Sequence, residues 1–202
     1  MKAGIITTPD RQQYLPALVS LIAPFVDVLK IFNDVNKYGH TYNLSRCMED
    51  MLDNAQDGEP ILIMCDDVVT VPDWYKRFNE LHNKVQGEIY CFMNRRRHLF
   101  TPENRARGYV KGVFPGAYYY HAVIYINQQG LIGRIKKWYT NVGKDILDEK
   151  RAKHFDNVIQ EYLVQNRIEW VVTIPTLFDH IGKKSTLGHN IGNSLDYIGN
   201  YG

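Results

Sequence analysis

Two adjacent carboxylates, Asp66 and Asp67, end the apolar run in the segment ILIMCDDVVTVPDW, residues 61–74. A run that apolar belongs in a core, and buried unpaired carboxylates are costly, so the pair is expected at the open end of a strand. There their oxygens could hold a hard divalent cation, Mn²⁺ or Mg²⁺, and the cation could hold a substrate's phosphates. An acidic turn after a core strand is the plain alternative. Successive side chains of an extended strand point to opposite faces, so both acids can reach one ion only if the chain turns. Asp67, nearer the strand's end, is therefore expected to ligate the metal, while Asp66 contacts a sugar hydroxyl or supports the site from behind.

A second concentration of chemistry is basic. Between Asn94 and Lys111 stand Arg95, Arg96, Arg97, Arg105, Arg107 and Lys111 against the single acid Glu103, a surplus of five positive charges in a chain of net charge +2. The remainder is acidic on balance. Such a patch suits a polyanion, because each neutralised phosphate releases counterions. Arginines of a solvated loop paired with surface acids would look the same. Near the start, Thr8 and Arg11 follow the first predicted strand in TTPDR, where a helix N-terminus would favour an anion, and both are read as donor contacts. Near the end, Lys183, Lys184 and Ser185 form a glycine-bounded segment that could close on a diphosphate, or could be an ordinary basic tail.

The elements that must position these groups alternate from the first residue. Residues 3–7 read as a buried strand, Thr8 to Asp10 as turn and cap, and Leu15, Leu18, Val19 and Ile22 as the apolar stripe of a helix. Residues 26–32 give a second strand, Asn43 or Ser45 caps a helix through Met48, Met51 and Leu52, and Gly58 to Pro60 lead into the acid-tipped strand. A helix carrying Trp74, Phe78, Leu81 and Val85 follows, then strands at 88–93 and 117–126, a late helix through Phe155, Val158, Ile159, Tyr162 and Leu163, and a final strand at 169–174. Alternation of this kind predicts an α/β sheet with the acids at a carboxyl edge, where open sheets bind nucleotides.

Composition agrees with one globular unit: 202 residues, 45% hydrophobic and 12% aromatic, suffice for a sizeable core. No apolar segment reaches the roughly 20 residues of a bilayer span, and the start lacks a long apolar leader, so a cytoplasmic protein is expected. Cys47, Cys65 and Cys91 are odd in number and lack metal-ligand spacing, which predicts reduced core thiols.

Five features in order carry a resemblance: TTPDR with a helix containing LPALVSL, NKYGHTYN at 36–43, LIMCDDV, FDNVIQEYL, and PTLFDHIGKKSTLG. Together they resemble small nucleotide-sugar-dependent glycosyltransferases of the GT-A fold, including compact bacterial and bacteriophage members. The resemblance implies a single-domain GT-A (Rossmann-like) fold over residues 1–188, with a mixed central sheet flanked by helices and a flexible tail at 189–202. It makes Cys65, Asp66 and Asp67 the counterpart of the family's acidic metal motif, usually two acids separated by one residue. Cys65 departs from that pattern by taking the first acidic position, which leaves Asp67 as the direct ligand. His180 matches a family histidine that reaches the metal or diphosphate. Asn43 matches a position near the nucleotide, or is simply a helix cap.

An inverting transfer needs a base for the acceptor hydroxyl. Asp156 matches the carboxylate that begins the family's late helix, and its apolar neighbours Phe155, Val158 and Ile159 would raise its pKa toward working pH. Asp145 and Glu149 compete for the role. The resemblance to phage-type enzymes and the arginine patch, with aromatics at Phe100, Tyr109, Phe114 and 118–120, point to DNA carrying hydroxymethylated pyrimidines as acceptor, the arginines gripping phosphates while a flipped base meets the aromatics. A surface glycan or lipid-linked sugar is the rival acceptor. Two readings of other classes stay open. A nucleotidyltransferase is disfavoured by the lack of a glycine-rich phosphate loop after the first strand, and a noncatalytic nucleic-acid-binding protein leaves Asp66, Asp67 and His180 without a role.

Overall fold

The structure, a computed structural model, describes residues 1–38, 40–53, 55–94, 96–115, 122–126, 131–138 and 155–181. The chain opens with strand β1 (Lys2–Thr7), a 3-10 turn (Pro9–Tyr14), helix α1 (Leu15–Ile22) and strand β2 (Val28–Asn33). Helix α2 (His40–Asp53), strand β3 (Pro60–Cys65), the short strand β4 (Val68–Thr70) and helix α3 (Trp74–Val85) follow. Strand β5 (Ile89–Cys91), helix α4 (Pro102–Arg107), strand β6 (Tyr109–Gly112), strand β7 (Ala122–Ile126) and helix α5 (Leu131–Trp138) precede helix α6 (Phe155–Gln165), strand β8 (Trp170–Thr173) and strand β9 (Phe178–His180).

Among the described residues, seven strands form one mixed sheet in the order β2-β1-β3-β7-β5-β8-β6, flanked by helices, which is the α/β class that the sequence pattern predicts. Strands β2, β1 and β3 are parallel; β7 runs against both β3 and β5, and β6 runs against β8. The carboxyl ends of β1, β2, β3, β5 and β8 therefore share one edge. The period of two along β3 divides the core. Ile61, Ile63 and Cys65 face Leu44, Cys47, Met48 and Met51 of α2, whereas Leu62 and Met64 face Leu18 and Ile22 of α1 and Trp74 and Phe78 of α3. Close approach of α2 depends on Gly4 in β1, since a Cβ there would stand 2.5 Å from Cys47 Sγ. All three cysteines are buried in the core, where the sequence places them. Among the described residues, no helix is long and apolar enough to cross a membrane.

Several expectations are corrected. Asn43 and Ser45 do not cap α2, because the helix already begins at His40 and Asn43 lies inside its first turn. Arg11 does not open an α-helix but sits in the six-residue 3-10 turn. The basic segment is not a loop. Thr101 accepts from the Asn104 amide, Pro102 starts α4, and Gly108 ends it at φ 86° before β6. The strand at 170–173 is not the last, since β9 follows and pairs with β4. Of the run at 117–126 only the last five residues are described. The domain limit at 188, the tail, Asp145 and Glu149 lie outside the described residues.

Candidate active site

Where β3 ends, the Asp66 amide donates to Ile6 O at 3.0 Å, extending the ladder with β1 by one residue before the chain turns into β4. That turn resolves the geometric problem of adjacent side chains on opposite faces. Arg11 Nη2 lies 2.9 Å from Asp66 Oδ1 and also pairs with Asp67 Oδ2. The Thr7 hydroxyl, at the end of β1, donates to Asp66 Oδ2 at 2.6 Å. Both acids are buried, with 2% and 3% of their surfaces exposed, so they are not a solvated acidic turn.

Burial pushes the Asp66 carboxyl up from its ordinary value, opposed by the Thr7 hydrogen bond and the Arg11 charge. Burial by itself would lower Arg11, but Asp67 and Asp66 outweigh it and the net direction is up, so the guanidinium stays charged. The neighbouring Cys65 thiol is pushed well up, first by burial and then by the two carboxylates. Cys65 is therefore a buried neutral thiol, which agrees with its departure from an acidic ligand pattern.

His180 arrives from 113 positions away in sequence through the two-stranded ladder. Val68 of β4 stands opposite His180 of β9, and the Ile181 amide donates to Asp67 O at 2.9 Å. His180 Nδ1 consequently lies 3.2 Å from Asp67 Oδ2, with 5% of the residue exposed. The ladder is anchored by Phe178, which stacks on Phe92 at 5.3 Å and meets the edge of Trp74 at 5.6 Å. Asp67, Asp66, Arg11 and His180 are thus brought together, and Thr8 follows directly at the start of the 3-10 turn with its carbonyl accepting from the Arg11 amide at 3.0 Å.

Asn43 has a different job from capping. Its Nδ2 donates to Thr7 O at 3.1 Å and to Phe32 O, joining the carboxyl ends of β1 and β2, while its buried Oδ1 has no partner among the described residues. An orphaned buried acceptor beside the acids is a place for a ligand's N–H or O–H. Asp34 was missed in the sequence. It is 3% exposed directly after β2, its amide donates to Thr7 O at 3.1 Å, and its Oδ1 accepts from the Tyr38 amide at 2.9 Å. The available signal was an acid immediately after a strand, as at Asp66.

No group of three or more His, Cys, Asp or Glu side chains that could by itself hold a metal occurs among the described residues. The donor chemistry nonetheless fits a hard cation, since Mg²⁺ is commonly held by one or two carboxylates with waters and substrate phosphates completing its shell. Asp66 and Asp67 converge on one point, and His180 stands beside Asp67.

Arg96 and Arg97 are exposed just after β5, and Arg105 and Arg107 are exposed on α4. They occupy the same sheet edge as the acids, two to four strands away, which at a strand spacing of about 4.8 Å means roughly 10 to 20 Å. The aromatic expectation is corrected at Phe100, a core side chain at 7% exposure, whereas Phe114 and Tyr109 are half-buried, Phe114 edge-on to Trp170 at 5.8 Å and Tyr109 with Lys84 and Arg107 near its ring at 5.4 and 5.9 Å. Arg95, Lys183, Lys184, Ser185 and 118–120 lie outside the described residues. Asp156 falls in the first turn of α6, with its side chain outside them as well.

No family model matches the chain, and no curated protein matches its sequence. Among solved structures it is similar to a glycosyltransferase involved in the glycosylation of the major capsid of PBCV-1, at 10% identity and TM-score 0.49, over 92% of this chain and 95% of that one. It is also similar to the apo form of the glycosyltransferase GlyE of Streptococcus pneumoniae TIGR4, at 8% identity and TM-score 0.44, over 83% of this chain and 44% of that one.

Proposed function

We propose that this chain is a glycosyltransferase with a GT-A-like nucleotide-binding sheet, moving a sugar from a nucleotide-sugar donor to an acceptor hydroxyl. The observation that carries the reading is the buried Asp66–Asp67 pair clasping Arg11 at the carboxyl edge of the parallel strands, with His180 alongside Asp67. Expulsion of a nucleoside diphosphate gathers negative charge on the leaving oxygens. A divalent ion held by Asp67, with Asp66 and His180 near it, would stabilise that charge when bound. Arg11 supplies a positive charge that can pair with the diphosphate, Asn43 Oδ1 and Thr8 border the nucleotide, and Lys183, Lys184 and Ser185 contribute two cations and a hydroxyl to the same diphosphate. Thermal unfolding with a panel of nucleotide sugars, with and without Mn²⁺, tests this directly, since a ligand at a hundredfold above its Kd adds about 2.7 kcal/mol. Absence of any shift together with absence of donor hydrolysis sinks the proposal. A nucleotidyltransferase would instead consume nucleoside triphosphates, and a noncatalytic binder would turn over neither.

In an inverting reaction Asp156 takes the acceptor's proton as the hydroxyl attacks. Asp156→Asn is then expected to lower turnover roughly 100-fold or more with donor and metal affinity nearly unchanged. A matching loss of donor affinity would make it a donor contact, and retained turnover would point to a retaining mechanism or another base.

The favoured acceptor is a hydroxymethylated pyrimidine in phage-type DNA, supported by the exposed Arg96, Arg97, Arg105 and Arg107 along the site's own edge. With Phe100 in the core, the arginines carry this reading without an aromatic platform from that residue. Neutral replacements at Arg95, Arg96 and Arg97 should weaken DNA binding and flatten its salt dependence by up to about 0.9 log units per lost phosphate contact, leaving donor hydrolysis unchanged. Wild-type protein with no salt-sensitive DNA affinity would move the acceptor to a surface glycan or lipid-linked sugar.

A further inference from the structure

Two carboxylate oxygens, contributed by adjacent residues of one turn, meet at a single nitrogen. Arg11 Nη2 is 2.9 Å from Asp66 Oδ1 and pairs with Asp67 Oδ2, and the two acids' side chains are only 2% and 4% exposed. Convergent carboxylate oxygens are what a protein offers a hard divalent ion when phosphates and water complete the shell. A guanidinium and a divalent cation cannot share that point, because they need the same lone pairs and repel one another.

We propose that Arg11 is a placeholder cation, which competes with the divalent ion for Asp66 and Asp67 and releases them when an anionic diphosphate arrives to pair with the guanidinium instead. The inference rests on the reading of this site as one for a metal and a nucleotide's diphosphate, and adds the order in which its charges assemble. Three features make Arg11 suited to the exchange. It lies in a 3-10 turn with no buried residue, so its side chain can swing without repacking the core. Its side chain is 19% exposed, which leaves an open flank toward solvent. Its planar fork of five donors can keep one edge on a carboxylate while presenting another to a phosphate, which a lysine ammonium cannot do.

The placeholder also explains how two neighbouring acids can be buried side by side. Without a cation between them they would repel each other in a poorly solvated turn. With Arg11 in place the site is formed in advance, and free metal gains little by entering. Metal and diphosphate together gain more, because the displaced guanidinium acquires a new anionic partner. The two ligands should therefore bind with positive coupling, and the coupling should pass through Arg11.

Binding of Mn²⁺ alone, read from the loss of the free-ion electron paramagnetic resonance signal, tests the competition without any donor. Wild type should bind Mn²⁺ weakly, and Arg11→Gln should bind it at least about tenfold tighter, within the usual range of coupling between two ligands. Adding Asp67→Asn to Arg11→Gln should remove the gain. Should Arg11→Gln lack a cooperative melt, Arg11→Lys serves the same comparison and should fall between the two. Wild type that binds Mn²⁺ alone as tightly as the Arg11 variants, or a gain that survives Asp67→Asn, overturns the proposal. Because no nucleotide sugar enters, this outcome is independent of donor hydrolysis, whose absence would count against the glycosyltransferase reading instead.

Discussion

Asp67→Asn protein is expected to turn over at least about 100-fold more slowly than wild type, because the amide keeps the size of the side chain but can no longer hold a cation or balance Arg11. Read as a strand tip, Asp67 should be removable without harm to the fold. Its burial overrules that expectation. It is 3% exposed, paired with Arg11 and 3.2 Å from His180 Nδ1, so losing its charge should also cost about 1–3 kcal/mol of stability, read from the urea midpoint. Asp66→Asn should be the milder of the two in turnover, since the Thr7 hydroxyl can still donate to an amide oxygen at 66. Wild-type turnover in Asp67→Asn would remove the residue from the site, and a reversed order of severity would transfer the direct role to Asp66. Asp66 also carries a pH dependence of its own. Asp66 has a folded pKa above its unfolded one, so folding favours its protonated form. That contribution is present at low pH and fades as pH rises through the folded value, and Asp66→Asn should abolish this part of the stability profile.

Phe178→Ala is expected to cost about 3–5 kcal/mol of stability, more than Asp67→Asn. Phe178 has no exposed surface, and its ring is held by Phe92 and Trp74. The same ring fixes β9 against β4, and that ladder is what keeps His180 beside Asp67. Turnover should therefore fall even at temperatures where the variant remains folded, whereas Val35→Ala, at a residue 63% exposed, should stay within about 0.5 kcal/mol of wild type. A loss below about 1 kcal/mol with unchanged turnover would show that β9 is held by something other than this aromatic cluster.

Much of this was legible in the chain because local patterns report local structure. The apolar run before Asp66 could only be a buried strand, and the stripe Trp74, Phe78, Leu81, Val85 could only pack one face of a helix, so β3, α3 and their order followed from periodicity. What failed were statements depending on a partner elsewhere. Asn43 has the residue type of a cap, but the carbonyls it serves belong to β1 and β2. Phe100 and Tyr109 look like exposed aromatics within a basic loop until α4 and β6 fold the segment and engage them. Asp34 carries the same strand-end signal as Asp66, without a second acid to draw attention to it.

Sequence alone determined the alternation of strand and helix and the placement of two acids at a carboxyl edge, because each is set by side-chain period and the cost of burying charge. Tertiary structure decided what those acids face. Arg11 lies 55 positions before Asp66 and His180 lies 113 after Asp67, and no local pattern in either segment reveals the other. The parallel pairing of β1 with β3 and the antiparallel pairing of β4 with β9 bring them within contact distance. The charge balance of the site therefore belongs to long-range strand pairing rather than to any one motif.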